Sequence, residues 1–292
     1  MSHGSLQRTL ASPAVVAGRG YWSGRKVTVK LRPAPANHGI IFVRTDLPGQ
    51  PTVALDVHAR ADVPRRTCLH AGVVRVDMVE HLVATLSGLG IDQCSVELDS
   101  QEMPGCDGSS QWFVEAILDA GIVSLDAPRS VGRVNKVIRV GDDHAWLEAR
   151  PVANDRLCLR YELSFDEAGP IGDQYLEYQH SYDAFCRELA PARTFLLESE
   201  AKLLRSQGLG KDVSTSELLV FSAAGPIDNP LRFVDECVRH KMLDLLGDLA
   251  LAGCDWIGEI VSFRSGHRLN AQLVKALLAS DQHRNQQHNA CA

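Results

Sequence analysis

The run Arg239-His240-Lys241-Met242-Leu243-Asp244, continuing to Gly247-Asp248, holds the residues best suited to chemistry. At helical spacing His240 and Asp244 lie one turn apart and Asp248 one turn further on. Their stripe is opposite the apolar set Val238, Met242, Leu245, Leu246 and Leu249. An imidazole nitrogen and a carboxylate oxygen so placed can share one ion, because zinc accepts both at about 2.0–2.2 Å. The competing reading is the solvated polar face that surface helices carry.

A second pair, Glu80-His81, opens an amphipathic segment, with His81 off its apolar stripe. A zinc hydrolase uses three protein ligands and keeps a fourth position for water, so His81, His240 and Asp244 would complete a set. Glu80, adjacent in sequence but not a ligand, can then take a proton from water. Its plainer role is a capping carboxylate beside a half-buried histidine. In Arg264-Ser265-Gly266-His267-Arg268-Leu269-Asn270, a Gly-flanked loop leaves His267 free to point into a cleft and protonate a departing amine. Asp248, if it faces His267, would hold the imidazolium and raise its pKa. The alternative is a surface turn.

Two further segments carry polar groups at turns. Met103 to Ser110 is a tight Pro/Gly/Asp turn leading into a helix that Ser109 or Ser110 can cap, and it reads as structural. In Pro191-Ala192-Arg193-Thr194-Phe195 the Thr194 hydroxyl can polarise a carbonyl, or it is simply a strand threonine.

These groups need elements to hold them. From Gln7 to Leu69 the chain alternates short β-branched runs with Pro- and Gly-rich turns. Val79, Leu82, Val83, Leu86 and Leu89 predict an amphipathic helix stopped by Gly88 and Gly90, followed by a strand over Cys94 to Leu98. Phe113 to Leu118 predicts a second helix ended by Gly121, and Ser124 to Gly132 reads as a linker. The second half repeats the order. Strands are expected near Lys136 to Val140, Ala145 to Ala149 and Leu157 to Leu163, helices near Glu198 to Gln207 and Asp235 to Ala252, then a strand over Trp256 to Phe263. The repeat is one of element order, without visible residue identity. The domains are therefore set at 1–126 and 127–279, with 280–292 a polar, frayed tail.

Bulk properties narrow the function. With 292 residues, 45% of them hydrophobic, the chain can bury two modest cores. A net charge of -6 with scattered Lys and Arg gives no footprint for nucleic acid or an anionic membrane. Eight cysteines without a Cys-x-x-Cys pair read as reduced, mostly buried thiols. No apolar leader precedes Gly20 and no stretch approaches the roughly 18 apolar residues of a span, so no stable membrane insertion and a cytoplasmic location are expected.

Taken in order, Val79-Glu80-His81, Leu89-Gly90-Ile91-Asp92, Glu102 to Ser109, Ala192-Arg193-Thr194-Phe195, Leu231-Arg232-Phe233, Val238 to Asp248 and Ser265-Gly266-His267 closely resemble the UDP-3-O-acyl-N-acetylglucosamine deacetylase family. The resemblance implies a two-domain α+β fold, each domain a β-sheet with a helical layer, and an active site in the cleft between them. It implies one catalytic zinc ion, Zn2+, held by His81, His240 and Asp244, with Glu80 as general base. His267, supported by Asp248, would act as acid or oxyanion partner, and Thr194 would bind the carbonyl oxygen.

The substrate so implied is a UDP-linked, acylated amino sugar, deacetylated in the committed step of lipid A assembly by an enzyme read as a monomer. Lys241 matches a family lysine on the diphosphate side, and Phe195 the entrance of an acyl passage formed by the insert at about 191–221. Tyr161 and Phe165 match positions for stacking on uridine. Several residues depart from the family: Trp22 stands where histidine is usual, Asp77-Met78 replaces a small residue and Thr, Leu196 replaces a small residue, and Lys211-Asp212-Val213 replaces a common Gly-Gly. These bear on passage shape rather than on the reaction. The rival functions are a zinc amidase for another acetylated sugar and a silent homologue that binds without turnover.

Overall fold

The β-branched runs of the first half alternate buried and exposed residues, the pattern of strands that cover a core on one face. The computed structural model describes residues 5–165 and 169–290, with backbone alone for 281–290. Its first half contains β1 (Leu6–Leu10), β2 (Ala14–Arg19), β3 (Lys26–Pro33), β4 (Ile40–Arg44), β5 (Thr52–Ala54), β6 (Arg60–Ala61), β7 (Cys68–Ala71), β8 (Val74–Asp77), α1 (Glu80–Gly88), β9 (Cys94–Leu98), α2 (Gln111–Ala120) and β10 (Ile122–Pro128). The second half adds β11 (Val131–Arg133), β12 (Ile138–Gly141), β13 (Trp146–Arg150), β14 (Leu157–Ser164), β15 (Asp173–Gln179) and α3 (Tyr182–Ala184), which continues into a π turn. It closes with β16 (Phe195–Leu197), α4 (Glu198–Ser206), β17 (Leu219–Ser222), β18 (Gly225–Pro226), α5 (Glu236–Leu249), β19 (Asp255–Phe263) and α6 (His267–Ala290).

The repeat of element order becomes a repeat of topology. One sheet runs β2-β3-β9-β4-β5 and the other β12-β13-β19-β14-β15. In each, the centre strand is antiparallel to the hairpin strand beside it and parallel to the strand on its other side. α1 precedes β9 as α5 precedes β19, and α2 follows as α6 follows. The fold is α+β, two sheets each with helices. Each unit also carries a small separate three-stranded sheet at the same place, before the helix that leads into its centre strand: β6-β7-β8 before α1 and β16-β17-β18 before α5.

α1 and α5 pack against each other between the units. The approach is close enough that a Cβ on Gly247 of α5 would lie 2.5 Å from the Glu80 carbonyl oxygen and 3.2 Å from Ala84 N. Glycine is required there by space rather than by backbone conformation.

Four expectations change. Ser124 to Gly132 is strand for most of its length: β10 pairs with β1, and β11 adds to the edge of β19. A segment that completes two sheets is not a slack linker. His267 is the first residue of α6 rather than a loop residue. That helix also continues through the expected tail to Ala290, with the side chains of 281–290 outside the described set. Cys68, Cys94 and Cys237 are buried, whereas Cys106, Cys158 and Cys186 are only half-buried. No helix among the described residues is long and apolar enough to cross a membrane.

Gly247→Ala should wedge α1 from α5 and destabilise the fold by about 1–3 kcal/mol, the usual cost of overpacking. Urea unfolding with a lowered midpoint at unchanged slope would match this; an unaltered midpoint would contradict it.

Candidate metal and catalytic centre

α5 is buried around its whole circumference, not only on its apolar stripe. Relative exposure is 2% for His240, 4% for Asp244 and 0% for Asp248, which excludes the solvated polar face. The partner that buries it is α1, whose first turn brings Glu80 and His81 to the same place.

One ligand atom each from His81, His240 and Asp244 lies within 4.8 Å of the others. His240 Nε2 is 3.5 Å and His81 Nε2 3.9 Å from Asp244 Oδ1. Bonds of about 2.0–2.2 Å around a tetrahedral ion would separate ligand atoms by roughly 3.3–3.6 Å, so a small contraction admits one ion. His240 Nδ1 lies 3.1 Å from the Ala192 carbonyl, which turns Nε2 toward the site. The His81 and His240 rings meet edge to face, with centroids 5.0 Å apart. The donor set fits a metal.

Electrostatics agree. Burial, reinforced by His240, pushes His81 down to about 3, and burial also lowers His240. Both imidazoles are therefore neutral, the form that ligates. Burial alone would raise Asp244, but the Lys241 ammonium, with the protonated His267, overturns it and holds that carboxyl far below the usual range. Lys241 Nζ donates to Asp244 Oδ2 at 2.7 Å.

Glu80 is pushed up to about 7, mainly by burial, and its Oε2 accepts the Thr67 backbone N–H at 2.9 Å. His267 is raised as well, but against its burial. Burial would lower it, yet Asp248 raises it to about 9, with His267 Nδ1 2.8 Å from Asp248 Oδ2. Asp248 Oδ2 also accepts from Asn270 at 2.8 Å, and its Oδ1 accepts the Thr67 hydroxyl. Thr67 thus holds Glu80 through its backbone and Asp248 through its side chain. Sequence reasoning missed it, because a lone threonine before a strand carries no spacing signal.

The Met103 to Ser110 turn proves to be a brace between the two units. Gly108 O accepts from Thr194 N at 2.8 Å, and Asp107 pairs with Arg232 at 2.6 Å. Ser110 occupies the start of α2 without capping it; its hydroxyl donates instead to His81 O at 2.9 Å. Behind Thr194, Arg193 is buried against Glu236 at 2.7 Å and also donates to Asn229 and the Pro230 carbonyl. The strip carrying Thr194 is fixed from both sides.

The centre opens on one cavity of about 830 Å³. Glu80, His81, Thr194, Phe195, Lys241 and His267 line it. The 191–221 insert contributes apolar lining from Leu196, Ala201, Leu204, Leu209 and Val213. α5, the turn before α6 and the start of α6 contribute Lys241 and two exposed arginines that sequence reading passed over, Arg264 and Arg268. Phe165 lines the cavity edge to face with Phe195, centroids 5.9 Å apart. Tyr161 does not fit its expected role. It is fully buried and its hydroxyl donates to Ser265 O at 2.6 Å, so it offers no face to a ligand. Two of the departures from the family pattern meet in Arg66, whose guanidinium lies 4.5 Å from the Trp22 ring centroid and 3.5 Å from Asp77.

Neutral imidazoles and a carboxylate gathered at the crossing of two repeated units, beside a second carboxylate and a large cavity with apolar and cationic lining, define a metal-site hydrolase. Comparison with known proteins narrows that class. The family model described as LpxC, UDP-3-O-acyl N-acetylglycosamine deacetylase, matches residues 7–279. Relatives named UDP-3-O-acyl-N-acetylglucosamine deacetylase include those of Pasteurella multocida (strain Pm70), 40% identical with 94% of this chain and 91% of the relative covered, and Actinobacillus succinogenes, 41% identical with 93% and 90% covered. The Brucella ovis protein of that name is 39% identical, with 95% and 96% covered. The chain belongs to the UDP-3-O-acyl N-acetylglycosamine deacetylase family.

Because the folded His267 pKa lies above its unfolded value near 6.5, the pair with Asp248 contributes stability that is complete below about 6.5 and lost as pH rises through about 9. Chelator-treated protein should therefore lose melting temperature across that window. The decline should be shallower in Asp248→Asn; parallel curves would refute the pairing.

Proposed function

We propose that this protein hydrolyses the N-acetyl group of a UDP-linked, 3-O-acylated N-acetylglucosamine, releasing acetate and the free amine in the committed step of lipid A biosynthesis. The observation that carries this is the mixed lining of the cavity at the metal triad. Its apolar residues suit an acyl chain, worth about 0.8 kcal/mol per buried CH₂, and its cationic residues suit a diphosphate. A substrate with both ends is an acylated nucleotide sugar.

His81, His240 and Asp244 would hold Zn2+, whose N₂O ligand set with an open position is that of hydrolytic zinc. When bound, zinc supplies a Lewis acid for the acetamide carbonyl and acidifies water. Glu80 accepts the proton of the attacking water, and burial tunes it for that exchange. Thr194 donates to the carbonyl oxygen as negative charge develops. His267, kept protonated by Asp248, hands its proton to the departing nitrogen, so the C–N bond breaks as the amine forms.

Lys241, with Arg264 and Arg268, meets the diphosphate; Phe195 guards the acyl entrance, and Phe165 remains for the uracil ring. The two units act as domains divided near residue 126, and the enzyme is a cytoplasmic monomer.

Glu80→Gln should lower kcat by about 10²–10⁴ while zinc content stays near one per chain, whereas His81→Ala should lower zinc content itself. Metal analysis beside an acetate-release assay checks both. Undiminished turnover by Glu80→Gln would remove Glu80 from its role. Cleavage of an acetylated sugar lacking the acyl chain with equal kcat/KM would favour a different amidase.

A further inference from the structure

Segments belonging to both small added sheets line the cavity. The β6–β7 connection contributes Asp62 to Arg65 to its lining, and α4 contributes Glu200, Ala201, Leu204 and Arg205. α4 is a weakly anchored roof. None of its nine residues is buried, and Leu203 is 58% exposed. Between these segments, Arg65 donates to Glu200 Oε1 at 2.7 Å. Among the described residues this is the one ion pair or hydrogen bond that joins α4 to the N-terminal half.

Glu200 is doubly engaged, since its Oε2 accepts the Leu197 N–H and closes the first turn of α4. The ion pair therefore grips the helix at its fixed end rather than at a loose side chain. Arg65 itself adopts φ +66°, a left-handed conformation unusual for an arginine. Behind the pair, the walls are the apolar side chains of Leu204, Leu209 and Val213.

We infer that the Arg65–Glu200 pair is a latch that holds α4 over the apolar passage and so determines how well long acyl chains are bound. This rests on the proposed substrate. An unlatched roof must be ordered by the chain that enters beneath it, and that ordering weakens binding. A short chain that does not reach α4 escapes the penalty. The latch thus acts on KM for long-chain substrates and leaves kcat and short-chain KM nearly alone.

The test compares wild type, Arg65→Ala, Glu200→Gln and the double variant on UDP-linked 3-O-acyl-N-acetylglucosamine with a short and a long acyl chain. Glutamine at 200 keeps an oxygen for the Leu197 N–H while removing the charge. Each single variant should raise long-chain KM about two- to fivefold, the range open to an ion pair of this exposure, and the double variant should add little. Raising salt should raise the ratio of long-chain to short-chain KM in wild type and leave that ratio unmoved in Arg65→Ala, since screening of the diphosphate contacts affects both chain lengths alike. Equal effects on both chain lengths, or none, would overturn the latch.

Hydrogen exchange of the amides of residues 198–206 without substrate gives a reading independent of activity. Faster exchange in Arg65→Ala supports the latch even if wild type proved inactive on this substrate, an outcome that would sink the functional reading instead. Unchanged exchange would overturn the latch whatever the substrate.

Discussion

The structure depends on the crossing of α1 and α5, where one helix backbone lies on the other. Gly247 sits within Cβ distance of the Glu80 carbonyl, so nothing but hydrogen fits between the strand of residues carrying Glu80-His81 and that carrying His240, Asp244 and Asp248. This contact converts two helical spacings, each unremarkable alone, into a three-dimensional cluster. It also removes water from charged groups, which turns ordinary side chains into groups with displaced acidities. The two sheets matter to the site chiefly because they fix these helices in register.

Burial of so many polar groups is tolerable only if each finds a partner. Asp244 sits among Lys241 and three imidazoles, Asp248 takes hydrogen bonds from Thr67 and Asn270 besides facing His267, and Glu236 is gripped by Arg193. The placement pushes Glu80 and His267 in useful directions: a carboxylate made a readier proton acceptor and an imidazole made a readier holder of its proton. Their environments differ through one feature, the carboxylate of Asp248 beside the histidine.

Much of the framework was legible in the sequence. α1, β9, α5 and β19 follow strong periodicities, and their bounds match to within a few residues. What escaped was set by non-local pairing. β15 is a polar edge strand whose exposed face hides its alternation, and the residues near Pro128 are held extended only by β1. Ser265-Gly266 signals a turn but cannot reveal that a long helix starts immediately after it. The misplacement of Tyr161 was avoidable. Leu157, Leu159, Tyr161 and Leu163 alternate along β14, and the period of two puts the tyrosine on the buried face with the leucines. The metal triad itself was readable as spacing, yet its burial was not, because the element that covers α5 belongs to the other half of the chain.

The inserts stand outside both main sheets, attached at equivalent points of a duplicated plan. Variation in the outer reaches of either, around 62–65 or 198–213, can reshape the entrance without disturbing the helices that carry the triad. Such an arrangement separates what must stay constant from what is free to drift. Lineages with different membrane lipids could retune the same catalyst by editing its two appendages independently.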